Sequence, residues 1–489
     1  MNNPDMNNSD IAQRNLVDGQ LAAEHKDFFL KNRTQLIQVP LETTILLDAC
    51  AGLVAKLREQ KELYHNLCSA LLTDELKYSQ AQQVLEEILD FILPQNLKLK
   101  LQRELGSVTP FVLRRVERGQ TRWQGYSSLG VLLHVVPNNS PGLSVLAAIE
   151  GLLSGNVNIV KLGRKETSFA ARFFYELTKV DSRLQSYIYV LALSSRESES
   201  LKMLYAKIDA CSAWGSEESL RAIARDLPKH VRFIEWGHKI SFSFVANAIL
   251  EETLEHQAEG QKNSTLESER SQSLVKSWIP ALAQEIVSSQ QLACSSPQVL
   301  YVETTDREKL LAVARLVFLE LQKCAKEQRE SGITNAILSS AETAEITMVE
   351  EQVRLGSYLD ESVLISDRDV RVMLEFNSSL RASPLFGSLW IKPLIRTQIA
   401  ETLLPMKPYL QTLGLACAEG ESEELLQIFF AIGVLRSRPL GKMSASYLGE
   451  PHDGEMALQR FCRRVSCETA GDLLWVSALN LIALNINLN

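Results

Sequence analysis

Residues 131–161 read VLLHVVPNNSPGLSVLAAIEGLLSGNVNIVK, and this stretch decides the fold class of the chain. Residues 131–136 are uniformly apolar except for one histidine and have the length of a buried strand. Ser140 and Pro141 then form a favourable helix start, with serine as the N-cap and proline at the first helical position. A second apolar run at 157–161 predicts the next strand. The stretch therefore predicts one β–α–β unit.

The same alternation continues along the chain. Further strands are predicted at 187–193, 208–214 and 231–235, and further helices at 167–177, 197–205 and 217–227. Short buried strands that alternate with helices indicate an α/β fold with a parallel, doubly wound sheet. Ligands of such sheets bind at the carboxyl ends of the strands. The loops after Val136, Lys161 and Trp214 are therefore the predicted binding site.

Composition excludes several classes of function. The chain has 489 residues, more than one hydrophobic core usually supports, and its net charge of −8 gives no electrostatic reason to expect nucleic acid. Residues 1–10 do not resemble a signal peptide, and the apolar stretch 473–484 is too short to span a membrane. Eight scattered cysteines indicate reduced thiols and a cytoplasmic protein. The seven histidines show no zinc-site spacing, so no metal is expected.

Three loops contain residues that are able to carry chemistry. The loop at 137–141 suits an anion or a developing oxyanion, or is simply an Asx-type turn before a helix. The segment at 155–165 ends in three basic side chains within five residues, which suits a nucleotide or is a solvated charge cluster. In the segment at 291–298, Cys294 lies among small residues at a helix-to-strand junction. It is either a nucleophile or a buried structural thiol of the kind that Cys211 is expected to be.

In this order and spacing, the loops resemble the aldehyde dehydrogenase superfamily over residues 125–465. The loop from Pro137 resembles the family's P-W-N-F-P, which assigns the oxyanion-stabilising amide to Asn139. The segment from Gly155 resembles G-N-x-x-x-x-K-P, with Lys161 at the cofactor ribose. Residues 213–216 resemble F-T-G-S, which assigns the cofactor pyrophosphate to Gly215 and Ser216. Residues 235–239 resemble E-L-G-G-K with its general base Glu235, Cys294 takes the nucleophile position, and 439–444 resembles the late P-x-G-x-K-x-S segment.

Within that superfamily the chain resembles the acyl-CoA reductase family of bacterial luminescence. The resemblance rests on Q-x-x-C-S-S-P-Q at 291–298, on Ser241 after the 235–239 motif, on L-Q-T at 410–412 and on H-D-G at 452–454. Three departures are present. Leu162 replaces the proline that usually follows the ribose lysine, Pro384 stands where a second ribose-binding glutamate is expected, and the interval from Glu235 to Cys294 is longer than usual.

The resemblance implies reduction of a fatty acyl-CoA, or another acyl thioester with a long chain, to the aldehyde. Cys294, Asn139 and Glu235 are then the catalytic residues, and the cofactor NADPH binds at Pro137, Lys161, Arg164, Gly215 and Ser216. NADPH is favoured because members that prefer NAD often carry a glutamate where Arg164 stands, and a guanidinium suits a 2′-phosphate. Acyl-protein synthetase and acyltransferase subunits are the implied partners. Two alternatives stay open: oxidation of an aldehyde to the acid with water activated by Glu235, and a non-catalytic acyl-transfer scaffold.

The resemblance and the local patterns together predict five segments. They are a helical N-terminal layer with a hairpin (1–120), an NADP-binding domain (121–250), a flexible polar insertion (251–275), a catalytic α/β domain (276–445) and a C-terminal segment that returns to the cofactor domain and an oligomer interface (446–489). Residues 484–489 alternate between apolar residues and asparagine, the period of a strand that needs a sheet to join. The resemblance implies that this segment completes a sheet across a subunit interface, so a homo-oligomer is expected, with a frayed terminus as the alternative.

Overall fold

The computed structural model describes residues 37, 41–72, 78–117, 121–136, 142–162, 169–194, 196–259, 269–331 and 338–469. These residues form two compact units. The first unit comprises the described residues up to Gly237 and from Tyr447 onward, and the second comprises His238–Ser446. Within the described ranges no helix is long and apolar enough to cross a membrane. The predicted strand at 484–489 lies outside the described residues.

Within the described residues from 41 to 105, four helices form the predicted helical layer. They are α1 (Thr43–Glu59), α2 (Lys61–Leu71), α3 (Tyr78–Phe91) and α4 (Pro94–Leu105). In α1 the buried residues Leu46, Leu53 and Leu57 recur at helical spacing, so one face of the helix enters the core. The same hydrophobic cluster contains Val160 and Leu162 of the central sheet. The four helices therefore share one hydrophobic core with that face of the sheet and pack against the helices at 143–153 and 169–180.

A five-stranded parallel sheet forms the centre of the first unit. Its strands are β3 (Val131–Val135), β4 (Val157–Leu162), β5 (Ile188–Ala192), β6 (Ala210–Trp214) and β7 (Arg232–Trp236), in the order β5-β4-β3-β6-β7. The connecting helices are α5 (Leu143–Leu153), α6 (Phe169–Val180), α7 (Ser198–Tyr205) and α8 (Glu217–Asp226). The predicted doubly wound sheet is confirmed. Its strand order reverses between β3 and β6, the switch point at which such sheets bind ligands.

The start of α5 differs from the prediction. The sequence pattern placed the helix start at Pro141, but α5 begins at Leu143. Gly142 before it has a φ of 83°, a left-handed conformation that a residue inside a right-handed helix does not adopt. Ser140 and Pro141 themselves lie outside the described residues.

A three-stranded antiparallel sheet completes the first unit. Strands β1 (Arg114–Arg115) and β2 (Arg122–Ser128) pair antiparallel, and β2 lies beyond residue 120, where the predicted segment with a hairpin ends. The short helix α15 (Ala457–Arg460) leads into β15 (Cys462–Glu468), which pairs with β2 from Cys462 opposite Ser128 to Glu468 opposite Arg122. The chain thus returns from the second unit to the first.

The second unit is built on a seven-stranded sheet in the order β10-β11-β12-β9-β8-β13-β14. All neighbours are parallel except the edge pair β10 and β11. The strands are β8 (Ile240–Val245), β9 (Pro297–Val302), β10 (Ser362–Ser366), β11 (Arg371–Glu375), β12 (Ser388–Pro393), β13 (Leu410–Ala416) and β14 (Arg436–Pro439). The helices are α9 (Asn247–Glu259), α10 (Glu269–Ser289), α11 (Arg307–Glu330), α12 (Ser340–Ser357), α13 (Ile399–Leu403) and α14 (Ser422–Ala431). The prediction of a second α/β domain is confirmed.

Two boundaries in the described residues differ from the predicted ones. Strand β8 pairs with β9 and β13, so the second unit starts at His238 and not after residue 250. The predicted flexible insertion at 251–275 begins and ends in helix, because α9 extends to Glu259 and α10 starts at Glu269. A few buried contacts hold α9 although the segment is polar: Leu250 is in the core, and Trp278 Nε1 donates to Thr253 Oγ1 at 3.0 Å.

A polar network lies buried in the core of the first unit. His134 Nε2 is 2.9 Å from Asn158 Oδ1, and Asn158 Nδ2 donates to the Asn156 carbonyl oxygen at 2.8 Å. Since the Asn158 amide nitrogen is committed to that carbonyl, Nε2 of His134 carries the proton and donates it to Oδ1. Nδ1 of His134 has no hydrogen-bond partner among the described residues. Burial lowers the pKa of His134 to about 4.

This burial predicts a pH-dependent stability. The unfolded chain takes up a proton on His134 near its ordinary pKa of 6.5, whereas the folded chain resists protonation down to about 4. The unfolded state therefore binds more protons in this window, and the free energy of unfolding falls as the pH falls, by about 3 kcal/mol in all. His134→Gln should remove this component when urea unfolding is measured between about pH 7 and pH 4. Above pH 6.5 the free energy of unfolding should change with pH in the same way for the unsubstituted protein and for His134→Gln. The same dependence on pH in both proteins below pH 6.5 would contradict the assignment.

Candidate active site

The strand register of the first unit places two predicted site residues in one row of the sheet. Lys161 pairs with Val135, Val135 with Ala213, and Ala213 with Glu235. Side chains of paired residues in parallel strands leave the same face, so Lys161 and Glu235 share a face three strands apart, roughly 14 Å. Lys161 is buried and Glu235 is exposed. Both lie near the carboxyl ends of their strands, where a ligand of the sheet would bind.

Gly215 and Ser216 lie at the end of β6, beside the switch point of the sheet. Ser216 is the N-cap of α8, and its Oγ accepts from Ser219 N at 3.3 Å. Free N–H groups at a helix start attract phosphate groups, although Glu217 and Glu218 in the first turn of α8 oppose an anion there. The buried cation of Lys161, the helix start and the switch point together fit a dinucleotide cofactor. Pro137, Asn139 and Arg164 lie outside the described residues.

Asn156 has a structural role in the described structure. Its side-chain oxygen accepts from Leu129 N at 2.8 Å and Gly130 N at 3.0 Å, and its amide donates to the Phe461 carbonyl oxygen at 2.9 Å. These bonds join the start of β3 to the returning C-terminal segment. The asparagine of the G-N pair therefore fixes the backbone, and Lys161 five residues later is the member of the motif at the carboxyl end of the strand.

Cys294 lies in the second unit, between α10 and β9. All eight cysteines are within the described residues, and Cys294 is the one whose side chain is exposed. Cys211, by contrast, is buried in β6, and burial raises the pKa of its thiol to about 12. Since the thiolate is the nucleophilic form and needs access to substrate, exposure favours Cys294 and excludes Cys211. The expectation that Cys211 is a buried thiol is confirmed.

The loop that carries Cys294 is held by Gln291. The Gln291 amide nitrogen donates to the carbonyl oxygens of Pro297 at 2.8 Å and Ser388 at 3.0 Å. Its amide oxygen accepts from Gly387 N and Ser388 N, both at 3.1 Å. Gln291 is 1% exposed and has a φ of 61°, a left-handed conformation rare for residues with a side chain. The side chain thus joins both ends of the loop to the start of β12.

Gln411 and Ser241 both contact Cys294 directly. Gln411 Nε2 of strand β13 donates to Cys294 Sγ at 3.2 Å, and Ser241 Oγ of strand β8 donates to the Cys294 carbonyl oxygen at 2.7 Å. A hydrogen bond to sulfur favours the ionised thiolate over the thiol. The sequence patterns at 241 and 410–412 were noted as a resemblance, but they assigned no role to either residue. Within the described segments, no three His, Cys, Asp or Glu side chains are grouped to hold a metal ion.

Comparisons with known proteins identify the family of the chain and its fold. The profile of the acyl-CoA reductase (LuxC) family matches residues 41–464. The chain belongs to this family. No curated protein matches it in a sequence comparison.

Solved structures show that this member of the acyl-CoA reductase family has an aldehyde dehydrogenase fold. Aldehyde dehydrogenase 21 from Physcomitrella patens, in complex with the reaction product succinate, aligns with a TM-score of 0.67 at 11% identity over 93% of this chain and 92% of that chain. A proposed methylmalonate-semialdehyde dehydrogenase from Sinorhizobium meliloti 1021, complexed with NAD, aligns with a TM-score of 0.63 at 10% identity over 90% and 88%. A mutant proline utilization A from Bradyrhizobium japonicum has a TM-score of 0.64 at 14% identity over 97% of this chain. The chain spans only 46% of that longer protein.

The Gln291 contacts predict a large loss of stability on substitution. Gln291→Leu removes the partner of the Gly387 N–H and of the Pro297 and Ser388 carbonyl oxygens, so the free energy of unfolding should fall by about 3–5 kcal/mol. The Ser388 N–H keeps its second acceptor, the Leu385 carbonyl oxygen, at 3.1 Å. Gln298→Leu is the matched control, because Gln298 Oε1 accepts a single bond from Ser383 N at 3.1 Å. Its loss should be about 1–2 kcal/mol in the same urea titration. Equal losses for the two variants would show that Gln291 does not hold the loop.

Proposed function

We propose that the protein reduces a long-chain acyl-CoA to the aldehyde with NADPH, through a thioester on Cys294. The observation that carries the proposal is the exposed Cys294 thiol with an amide donor at its sulfur, in a chain of the acyl-CoA reductase family. The acyl group arrives as the CoA ester, or from an acyl-protein synthetase or acyltransferase partner of the kind that the resemblance implies.

In the first step Cys294 exchanges one thioester for another. The thiolate attacks the thioester carbonyl carbon, and the carbonyl oxygen becomes an oxyanion. We assign the stabilisation of that oxyanion to the Asn139 side-chain amide and to the backbone N–H at Cys294, with about 3 kcal/mol from each donor. The new carbon–sulfur bond forms as the bond to the CoA sulfur breaks, and CoA leaves as its thiolate. A cysteine suits this step because a thiolate both attacks and leaves readily.

In the second step the acyl-Cys294 thioester is reduced. When bound, NADPH would supply a hydride. The acyl group on Cys294 would accept that hydride at its carbonyl carbon and become a thiohemiacetal oxyanion that stays attached to Cys294. Collapse of that species re-forms the carbonyl as an aldehyde and releases the Cys294 thiolate. We assign the hold on the cofactor to Lys161 at the ribose, Gly215 and Ser216 at the pyrophosphate, and Arg164 at the 2′-phosphate, with Pro137 at the start of the same binding loops.

Glu235 favours a second candidate function. It is exposed near the carboxyl end of β7, where a carboxylate is able to take a proton from water. Activated water would hydrolyse the acyl-enzyme, and the net reaction would be oxidation of an aldehyde to the acid. The two functions are distinguished by measuring the absorbance of NADPH. Consumption of NADPH that depends on acyl-CoA supports the proposed reductase. Reduction of NADP⁺ by an aldehyde without CoA supports the alternative.

Substitution of the two cysteines tests the covalent step. Cys294→Ala should abolish both labelling of the protein by a radioactive acyl-CoA and aldehyde formation, because no other exposed thiol replaces it. Cys211→Ala should keep both within a few fold, since Cys211 is buried in the sheet. Labelling is measured as acyl groups bound per chain after gel filtration. Stoichiometric labelling of Cys294→Ala would show that the nucleophile lies elsewhere.

The choice of cofactor is tested at Arg164. A guanidinium donates two parallel charge-assisted hydrogen bonds to a phosphate, whereas a glutamate repels it. Arg164→Glu should therefore raise KM for NADPH by about tenfold or more, with a smaller change for NADH. Lys165→Glu is the control, because it makes the same reversal of charge at the neighbouring position. Equal KM values for the two cofactors in the unsubstituted enzyme would contradict a 2′-phosphate site.

A further inference from the structure

The contacts of Gln411 continue beyond Cys294 to a positive charge. Thr412 Oγ1 lies 3.3 Å from Gln411 Oε1, and Arg436 Nε lies 3.1 Å from Thr412 Oγ1. Thr412 and Arg436 are register partners on the adjacent parallel strands β13 and β14, so the backbone itself sets their side chains against each other. The contacts form an unbroken chain from the guanidinium to the thiol.

The direction of every proton in this chain follows from the donors available. Arginine has only protons to give, so Thr412 Oγ1 accepts from Arg436 Nε. The single proton of the Thr412 hydroxyl is then left for Gln411 Oε1. An amide whose oxygen accepts there turns its NH₂ group toward Cys294 Sγ, which lies 3.2 Å from Nε2. The orientation of the Gln411 amide is thus determined by the network.

Ser241 does not compete for that orientation. Its hydroxyl proton goes to the Cys294 carbonyl oxygen at 2.7 Å, and its oxygen accepts from Thr412 N at 3.1 Å. The contact between Ser241 Oγ and Gln411 Oε1 is 3.5 Å long, which is at the limit of a hydrogen bond. Thr412 Oγ1 is closer to Gln411 Oε1, at 3.3 Å, and is therefore its donor. Ser241 therefore holds the backbone of Cys294, whereas Gln411 donates a hydrogen bond to its sulfur.

We propose that Arg436, Thr412 and Gln411 form a hydrogen-bond relay that stabilises the Cys294 thiolate, with Gln411 as a catalytic residue and the other two as positioning residues. All three bonds run from donor to acceptor toward the sulfur, so each polarises the next and the guanidinium reinforces the amide donor. The relay stabilises the ionised form of Cys294 by donating a hydrogen bond to its sulfur. The Gln411 carboxamide does not act as a base, because it does not accept the thiol proton. It deepens the proposed function, since a thiolate is the form that attacks the acyl thioester.

Alkylation of Cys294 by iodoacetamide tests the relay directly. The rate is followed on the Cys294 peptide by mass spectrometry, with buried Cys211 as the internal control. Gln411→Leu should slow alkylation about tenfold at about pH 7, where the thiolate fraction limits the rate, and within about twofold of the unsubstituted rate at about pH 10, where any accessible thiol is ionised. A merely structural role would change the two rates together.

Thr412 separates the relay from local packing. Thr412→Val removes the hydroxyl at nearly constant shape and should slow alkylation about threefold at about pH 7. Thr412→Ser keeps the hydroxyl and should retain the rate. Arg436 is a poorer target because its Nη2 also donates to the Met443 carbonyl oxygen at 2.6 Å. Gln427→Leu is the matched control for Gln411→Leu, because it makes the same substitution at an exposed glutamine of α14 that contacts Glu423.

Neutral-pH rates equal to the unsubstituted rate in both Gln411→Leu and Thr412→Val would overturn the relay. If Gln411→Leu does not fold, the comparison of Thr412→Val with Thr412→Ser decides the matter, and equal rates overturn it. Alkylation uses neither acyl-CoA nor NADPH. If the protein fails to reduce acyl-CoA but shows the predicted alkylation rates, the proposed function is wrong and the relay stands. If it reduces acyl-CoA but does not show those rates, only the relay is wrong.

Discussion

The four hydrogen bonds of the Gln291 carboxamide are the constraint on which the nucleophile loop depends. An exposed cysteine needs a loop that reaches solvent, but a loop anchored inside a sheet must satisfy its buried backbone groups. Gln291 meets both requirements, because its one buried side chain supplies the hydrogen bonds that a strand ladder would otherwise supply between the loop and β12. The left-handed backbone at Gln290 and Gln291 costs roughly 1–3 kcal/mol per residue, and the same bonds offset that cost. The position of the Cys294 thiol is therefore a consequence of a glutamine three residues earlier.

The first unit uses buried amides in the same way. Asn156 binds two N–H groups at the start of β3 and the carbonyl of Phe461, so one side chain fixes both the start of the central strand and the returning chain. Asn158 and His134 extend that network through the centre of the sheet. Because this interior is rigid and in register, Lys161 and Glu235 are carried to one row near the carboxyl ends of β4 and β7. In each unit a buried polar contact supports the residue that chemistry needs.

Local patterns in the sequence predicted the elements well and the long-range contacts poorly. Strands β3 to β7 and helices α1 to α4 follow from apolar periodicity, which is a property of neighbouring residues. Gln411 lies 117 residues from Cys294, and Phe461 lies 305 residues from Asn156, so no periodic pattern shows that either pair touches. The polar composition of 251–275 predicted a loop, but a few anchors such as Leu250 and Thr253 are enough to hold α9 against α10. The L-Q-T segment was the available signal for the relay, and only the structure shows that its glutamine faces sulfur.

The Gln411 amide at Cys294 Sγ bears on the fate of the proposed acyl-enzyme. An imidazole or a carboxylate beside the sulfur would promote ionisation of the thiol, but after acylation it would also activate water against the thioester. An amide donates a hydrogen bond to the thiolate and has no basic site from which to activate water. Reduction is then favoured over hydrolysis as long as general bases such as Glu235 do not act on water during the lifetime of the thioester. On this argument a relay that ends in glutamine suits a reductase better than a hydrolytic dehydrogenase, and the guanidinium at its far end supplies the polarisation that a neutral donor lacks.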